Sequence, residues 1–523
     1  MCGLVVASGG GGGSSRGRAS VVAVALLLPL AFLAFSPPGL AGGPLRLATF
    51  QCDVTPPLGE PIYSSYQPLA TVEHPLLAKG VVLEDGGRRY VLCALDWCEV
   101  CNGTHLLFRE KMAQAAGTDP ARVAVQTVHQ HTAPMGDREA MELLEGIDAS
   151  PPHPRPAFFD AVARRLATAV AEARGRLEPF DRVGTGQAKV ERVASSRRVK
   201  DEQGRILVRW SRCIDPHLRA MPEGKVDPWL KTITLARGEA PLVRLHYYAT
   251  HPQSFYGDPR ASYDFPGMAR EALQAEEGVF QIYFNGCGGD ITAGKYNDGS
   301  REARAGLAAR LLAGMRAAAQ ATRFEPARSI RWRTTLLALR PRSDPGYTEE
   351  DYRRRMLNPK LNPSVRIYRG AMALAFLARR HVPFQLSSMA LGRACVLHLP
   401  GEAMIDFQLY AQHMAPDRFV AVAAYGDCAC GYLCTEEAFR EGGYEPTDSF
   451  VTPDSEKALK SAIRQLLGVQ EPQFGRGAAV TAQPPRLERL SGPAEGPWPI
   501  ELESFVFCRQ GESRSCCAIG ERS

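Results

Sequence analysis

Short apolar runs alternate with amphipathic stretches along most of the chain. Six runs read as strands: Tyr90–Leu95, Val123–Val128, Leu242–Tyr248, Val279–Phe284, Ala394–Leu399 and Phe419–Ala424. Each is short, apolar and bounded by polar or glycine-rich residues. Between them, Ala157–Leu177 and Arg301–Ala321 carry apolar residues at helical spacing within Ala-, Leu- and Arg-rich sequence, and Glu349–Met356 and Ser364–Arg380 are helix-like too. This alternation predicts an α/β architecture, a mixed or parallel sheet core with flanking helices. No internal repeat is present. Residues 341–362, rich in Pro and charge, read as a surface excursion, and the stretch from about Glu471 to Ser523 reads as an irregular tail.

Five of the strand-like runs end in unusual polar residues. Tyr90–Leu95 leads into Asp96, Val123–Val128 into His129-Gln130-His131, and Leu242–Tyr248 into His251. Val279–Phe284 leads into Asn285-Gly286-Cys287-Gly288-Gly289-Asp290, and Ala394–Leu399 into Pro400-Gly401-Glu402. Ligands of open α/β sheets bind at the carboxyl ends of strands, so these residues predict one composite site there. In extended chain His129 and His131 face the same side. His251 is followed by Pro252, and Glu402 sits at a Pro-Gly turn that opens a helix. Two His and one Glu form a catalytic zinc combination that leaves room for water or substrate. Bound zinc polarises a carbonyl and lowers the pKa of its water to roughly 7.

The segment 285–297, NGCGGDITAGKYN, is glycine-dense after a strand, and Thr292 is the hydroxyl in its core. Glycines let backbone amides approach a ligand closely, and such amides stabilise an oxyanion. The alternative is a tight structural turn. A phosphate-binding loop is disfavoured, because Lys295 is followed by Tyr296 where that motif needs Ser or Thr.

Composition narrows the picture. Apolar residues make up 45% and charged residues 23% of the 523, enough for a large core. The net charge of +6 is interspersed, and no basic run interleaved with aromatics points to nucleic acid. The N-terminus has Arg16 and Arg18, an apolar stretch over residues 21–35 and then small residues such as Gly39 and Ala41. Those are the parts of an export signal, so residues 1–42 are expected to be a signal peptide or signal anchor. The apolar stretch is short for a span of roughly 20 residues, and the protein is expected outside the cytoplasm, secreted, periplasmic or cell-surface. Cys93-x4-Cys98-x2-Cys101 matches the opening of an iron–sulfur pattern. Cys93, however, lies inside a strand-like run, and disulfides or buried thiols are the preferred account of the 14 cysteines.

These motifs together resemble the catalytic region of the neutral (non-lysosomal) ceramidases. VHQHTAP at 128–134 is similar to T-H-T-H-S-G-P, ATHPQSF at 249–255 to H-P-x-S-M, and GDIT at 289–292 to G-D-x-S. LPGE at 399–402 matches P-G-E, and GYLCTEEAFREGGY at 431–444 resembles Y-x-T-x-E-E-Y…Y-E. The resemblance implies a hydrolase domain over residues 43–470. It implies zinc held by His129, His251, Glu402 and Tyr432, with His131 beside the site. Thr292 stands at the place of the family's catalytic serine, and Gly289 and Asp290 stand on the substrate side. The implied reaction is hydrolysis of the amide bond of an N-acyl lipid, a small-molecule or lipid substrate that allows peripheral membrane contact. The chain departs from the family in Thr292 itself and in Ala293-Gly294 where Pro-Asn is usual, and the 79 residues after Tyr444 are not expected to form the family's C-terminal immunoglobulin-like domain. A zinc esterase on another substrate and a zinc-binding surface protein without catalysis are the competing readings.

Overall fold

The computed structural model describes residues 43–63 and 66–470; the signal-like segment 1–42 and the tail 471–523 lie outside the described residues. The fold is mixed α/β, as the alternation predicts, and is built on three larger sheets. The first has the order Val123–Thr127, Arg88–Leu95, Leu77–Asp85, Arg46–Asp53, Glu178–Pro179. The second runs Phe280–Asn285, Ala240–Tyr248, Trp229–Arg237, Arg182–Lys189, Arg323–Pro326. The third runs Arg331–Leu337, Phe384–Leu391, Ala394–His398, Phe419–Ala423.

One plan recurs in all three. Each sheet is antiparallel except for a parallel pair at one edge. Each parallel pair is joined by a helix: Asn102–Ala116, Asp264–Glu277 and Ile405–Met414 in turn. A parallel pair requires such a crossover, and its strands leave their sheet at the same end. The three edges meet. Asn285 Nδ2 donates to the Val128 carbonyl and the Ala424 amide donates to the Asn285 carbonyl. Gln126 Nε2 donates to the carbonyls of Leu399, Ala423 and Ala424. These buried amide side chains tie three sheets together where no ladder can, and they bring six strand ends to one place.

Local chemistry sets the element limits. Ser300 caps the helix Arg301–Gln320 by accepting from the Ala303 amide. Gly117 and Gly278, both left-handed, end two of the crossover helices. The expected helix at 364–380 forms as 363–378, with a wider turn over Ile367–Met372. Among the described residues no helix is long and apolar enough to cross a membrane. All ten described cysteines are free thiols; Cys93 is buried within its strand.

Asp96, the first of the polar strand ends, has a structural partner. Its carboxylate takes both terminal nitrogens of Arg270, at 2.8 and 2.9 Å, with both side chains fully buried. Arg270 and Lys79 also reach Glu271. Removing one member of a buried pair leaves an uncompensated charge. Asp96→Asn is therefore expected to lower the unfolding free energy in urea by about 3 kcal/mol. A change below about 0.5 kcal/mol would mean the pair contributes little.

Candidate metal centre

His129 follows the end of Val123–Thr127, where its amide donates to the Trp97 carbonyl. Its φ is +67°, unusual for a non-glycine residue. The extended geometry expected for His129-Gln130-His131 is therefore broken by a left-handed turn, and the two imidazoles still lie with centroids 4.8 Å apart. Tyr425, also left-handed at φ +60°, stacks on the His129 ring at 4.3 Å. His251 follows Ala240–Tyr248 and is fixed by its amide to the Ile291 carbonyl. Glu402 follows Gly401, whose φ of +64° suits glycine. Its backbone then pairs in parallel with Tyr432.

These turns bring three buried ligands together. His129 Nε2 lies 3.0 Å from His251 Nε2 and 3.1 Å from Glu402 Oε2; His251 Nε2 lies 3.4 Å from the same oxygen. The other nitrogen of each imidazole is taken. His129 Nδ1 faces the Cys98 carbonyl and His251 Nδ1 the Gly288 carbonyl, each at 2.9 Å. A carbonyl only accepts, so each Nδ1 carries a proton and each Nε2 is turned inward. Arg197 Nη2 meets His251 Nε2 at 3.2 Å, and a cation among the three would answer the inward-facing atoms together. Glu402 Oε2 has no hydrogen-bond donor. Ligands about 2.1 Å from a tetrahedral ion stand roughly 3.4 Å apart, which the three distances approach. The donor set therefore fits zinc. A second grouping, Cys98 with His129 and His131, competes for an imidazole whose Nδ1 is already committed.

Around this cluster lie groups with perturbed protonation. Burial opposes charge on Glu402, but His129 and Arg197 outweigh it and hold the carboxyl below its usual range. Glu99 beside it is pushed up by burial and by the Glu402 carboxylate. His131 is held neutral by burial, then by His129 and Arg197. Both its ring nitrogens are buried without a partner.

Arg197 is the functional candidate the sequence did not reveal. It is buried, with Nη1 3.2 Å from Tyr432 Oη and 3.3 Å from Glu445 Oε1, and Nη2 3.2 Å from His251 Nε2. Its guanidinium also lies over the Tyr444 ring at 5.1 Å. Tyr432 thus stands between Arg197 and Glu402, beside the three ligands.

The glycine-rich loop passes beneath Glu402. A Cβ at Gly289 would stand 2.5 Å from the Glu402 carbonyl oxygen, so glycine is needed for a backbone-to-backbone approach. The Gly289 amide donates to the Ala403 carbonyl, and those of Gly286, Cys287 and Ile291 are also bonded within the protein. Asp290 Oδ1 accepts from the Ile405 amide at 2.8 Å, and burial pushes its carboxyl up to about 7. Thr292 forms a bridge with His251, but its hydroxyl turns to the Arg209 carbonyl at 3.2 Å and accepts from the Gly294 amide. The structure thus gathers His129, His251, Glu402, Tyr432 and His131, and gives Gly289, Asp290 and Thr292 partners in the surrounding wall.

Two solved structures share this arrangement of elements. The neutral ceramidase from Pseudomonas aeruginosa matches at 16% identity and TM-score 0.59, over 82% of this chain and 75% of that one. A ceramidase complexed with C2 matches at 15% identity and TM-score 0.59, over 82% and 76%. The fold is ceramidase-like. No protein-family model matches the sequence, and no curated protein does.

Proposed function

We propose that the protein is an exported zinc hydrolase that cleaves the amide bond of an N-acyl lipid of the ceramide kind. The observation that carries this reading is the inward-facing set of His129, His251 and Glu402, whose Nε2, Nε2 and Oε2 atoms lie 3.0 to 3.4 Å from one another, on a ceramidase-like fold. Tyr432 would complete the set. When bound, zinc supplies a Lewis acid that polarises the scissile carbonyl.

The chain's own residues supply the rest. His131, neutral and unpartnered, has one N–H and one lone pair to offer substrate. Arg197 places a fixed positive charge beside Tyr432, where negative charge grows as the carbonyl is attacked. Burial excludes water and strengthens both effects.

Purified protein carrying about one zinc per chain should hydrolyse long-chain N-acyl amino alcohols faster than the matching esters. Turnover of esters alone would favour the esterase reading, and no turnover with zinc bound would favour a binding protein.

Thr292 has a lesser part in this scheme. Its hydroxyl braces the loop through Arg209 and Gly294, and its methyl restricts χ1. Thr292→Val is expected to reduce kcat/KM by about tenfold to a hundredfold, no more than the loss of one oxyanion donor. An acyl group trapped on Thr292 would make it the nucleophile instead.

A further inference from the structure

A cavity of about 330 Å³ lies behind the His129, His251 and Glu402 cluster and includes none of those residues. Helix Asn102–Ala116, strand Val123–Thr127 and the third sheet enclose it. Its inner wall is the back of the Glu402 turn: Leu399, Pro400, Gly426 and Asp427. Leu336 and Val382, 64% and 53% exposed, mark its mouth, with Phe384 just inside.

The lining carries two cations and one anion. Arg109 is anchored by Nε to the Val123 carbonyl and by Nη2 to the Pro120 carbonyl and Gln385. Arg379 has an ion pair with Glu139, 3.4 Å away and outside the lining. Asp427 uses Oδ1 for the amides of Asn102 and Ala429, and burial pushes its carboxyl up to about 6. Among the lining side chains alone the cations outnumber the carboxylate, and Glu139 balances Arg379 from outside the lining.

The histidines sharpen this. Burial pushes His105 and His398 down to about 3, so both rings are neutral. His105 Nε2 donates to the Val125 carbonyl. His398 holds Ser387 Oγ at Nδ1, 2.9 Å away, while its Nε2 is buried with no partner. When the serine hydroxyl donates to Nδ1, the proton sits on Nε2. That N–H then has no partner among the described residues, and an unmet buried donor is costly.

We propose that this chamber binds a carboxylate with a short apolar body: the carboxylate answers Arg109, Arg379 and the His398 N–H, and the body lies along Phe384 and Val382. Two guanidiniums suit a planar carboxylate, an apolar mouth suits a chain, and the volume is that of a small-molecule pocket. The site does not depend on the proposed reaction.

Calorimetric titration of the full-length protein with octanoate, octanol and inorganic phosphate tests the assignment, and needs no turnover. Octanoate should bind at one site, with octanol and phosphate at least tenfold weaker. Arg379→Gln, which removes a partly exposed side chain, and His398→Phe, which keeps a ring against Trp332, should each weaken octanoate at least tenfold with circular dichroism unchanged. Absence of octanoate binding, or equal binding by both variants, would overturn the proposal. Phosphate binding tighter than octanoate would make it an inorganic-anion site. A loss confined to His129→Ala would move the acid to the metal cluster.

Discussion

Replacing His129, His251 or Glu402 by alanine should strip the zinc, taking it from about one ion per chain to less than about a tenth, and should abolish hydrolysis. Each residue supplies one inward-facing acceptor within 3.4 Å of the others, and a tetrahedral ion that loses one protein ligand must replace it with water. A bound zinc would contribute several kcal/mol of transition-state stabilisation. At about 1.4 kcal/mol per decade of rate, its removal costs on the order of a thousandfold or more. Metal analysis and kinetics on the same preparations separate the outcomes. Full zinc occupancy in His129→Ala and His251→Ala would remove both residues from the site, whatever happened to the rate.

Much of this centre was legible because its ligands follow strands with strong apolar signatures. All six expected strands form within one or two residues of their predicted limits. Their polar ends meet because each belongs to a parallel pair at the edge of a sheet. The antiparallel partners were not anticipated. Arg182–Lys189 and Phe384–Leu391 mix glycine, serine and charge with apolar residues, and period-two patterning fades when both faces are half covered. The helix Asn102–Ala116 was hidden for another reason. It opens on Asn-Gly, a turn signal, and buries His105 and Arg109 on its inner side, which blurs an apolar stripe.

The wall of the site was less legible than its ligands. Nothing in Ala194-Ser195-Ser196-Arg197-Arg198 separates a buried arginine from an exposed one. The difference arises from Glu445, far along the chain, which receives both guanidiniums. The glycines of the loop after Asn285 likewise read as a ligand cradle. Gly289 instead answers a close approach of the Glu402 backbone, a constraint that exists only once the sheets have met.

Arg197 carries the second large expected effect, on activity and stability together. Its guanidinium joins Tyr432, His251 and Glu445 in a region closed to water. Arg197→Met should keep an unbranched apolar stem and the zinc content, since it removes none of His129, His251 and Glu402. It should lower kcat/KM by about a hundredfold to a thousandfold, the range for one preorganised donor. The same change leaves Glu445, fully buried, with Arg198 as its remaining cation at 2.8 Å. Breaking a buried charge pair costs about 3–5 kcal/mol, and the surviving Arg198 contact places this case near the lower bound. Arg197→Lys should not rescue the rate, because a point charge cannot reach Tyr432 and Glu445 as a planar fork does. The double change Arg197→Met with Glu445→Gln separates the two roles: it should regain stability in urea while the rate stays low. Recovery of the rate along with stability would show that Arg197 acts on the fold alone, and zinc loss in Arg197→Met would show that it acts through the metal.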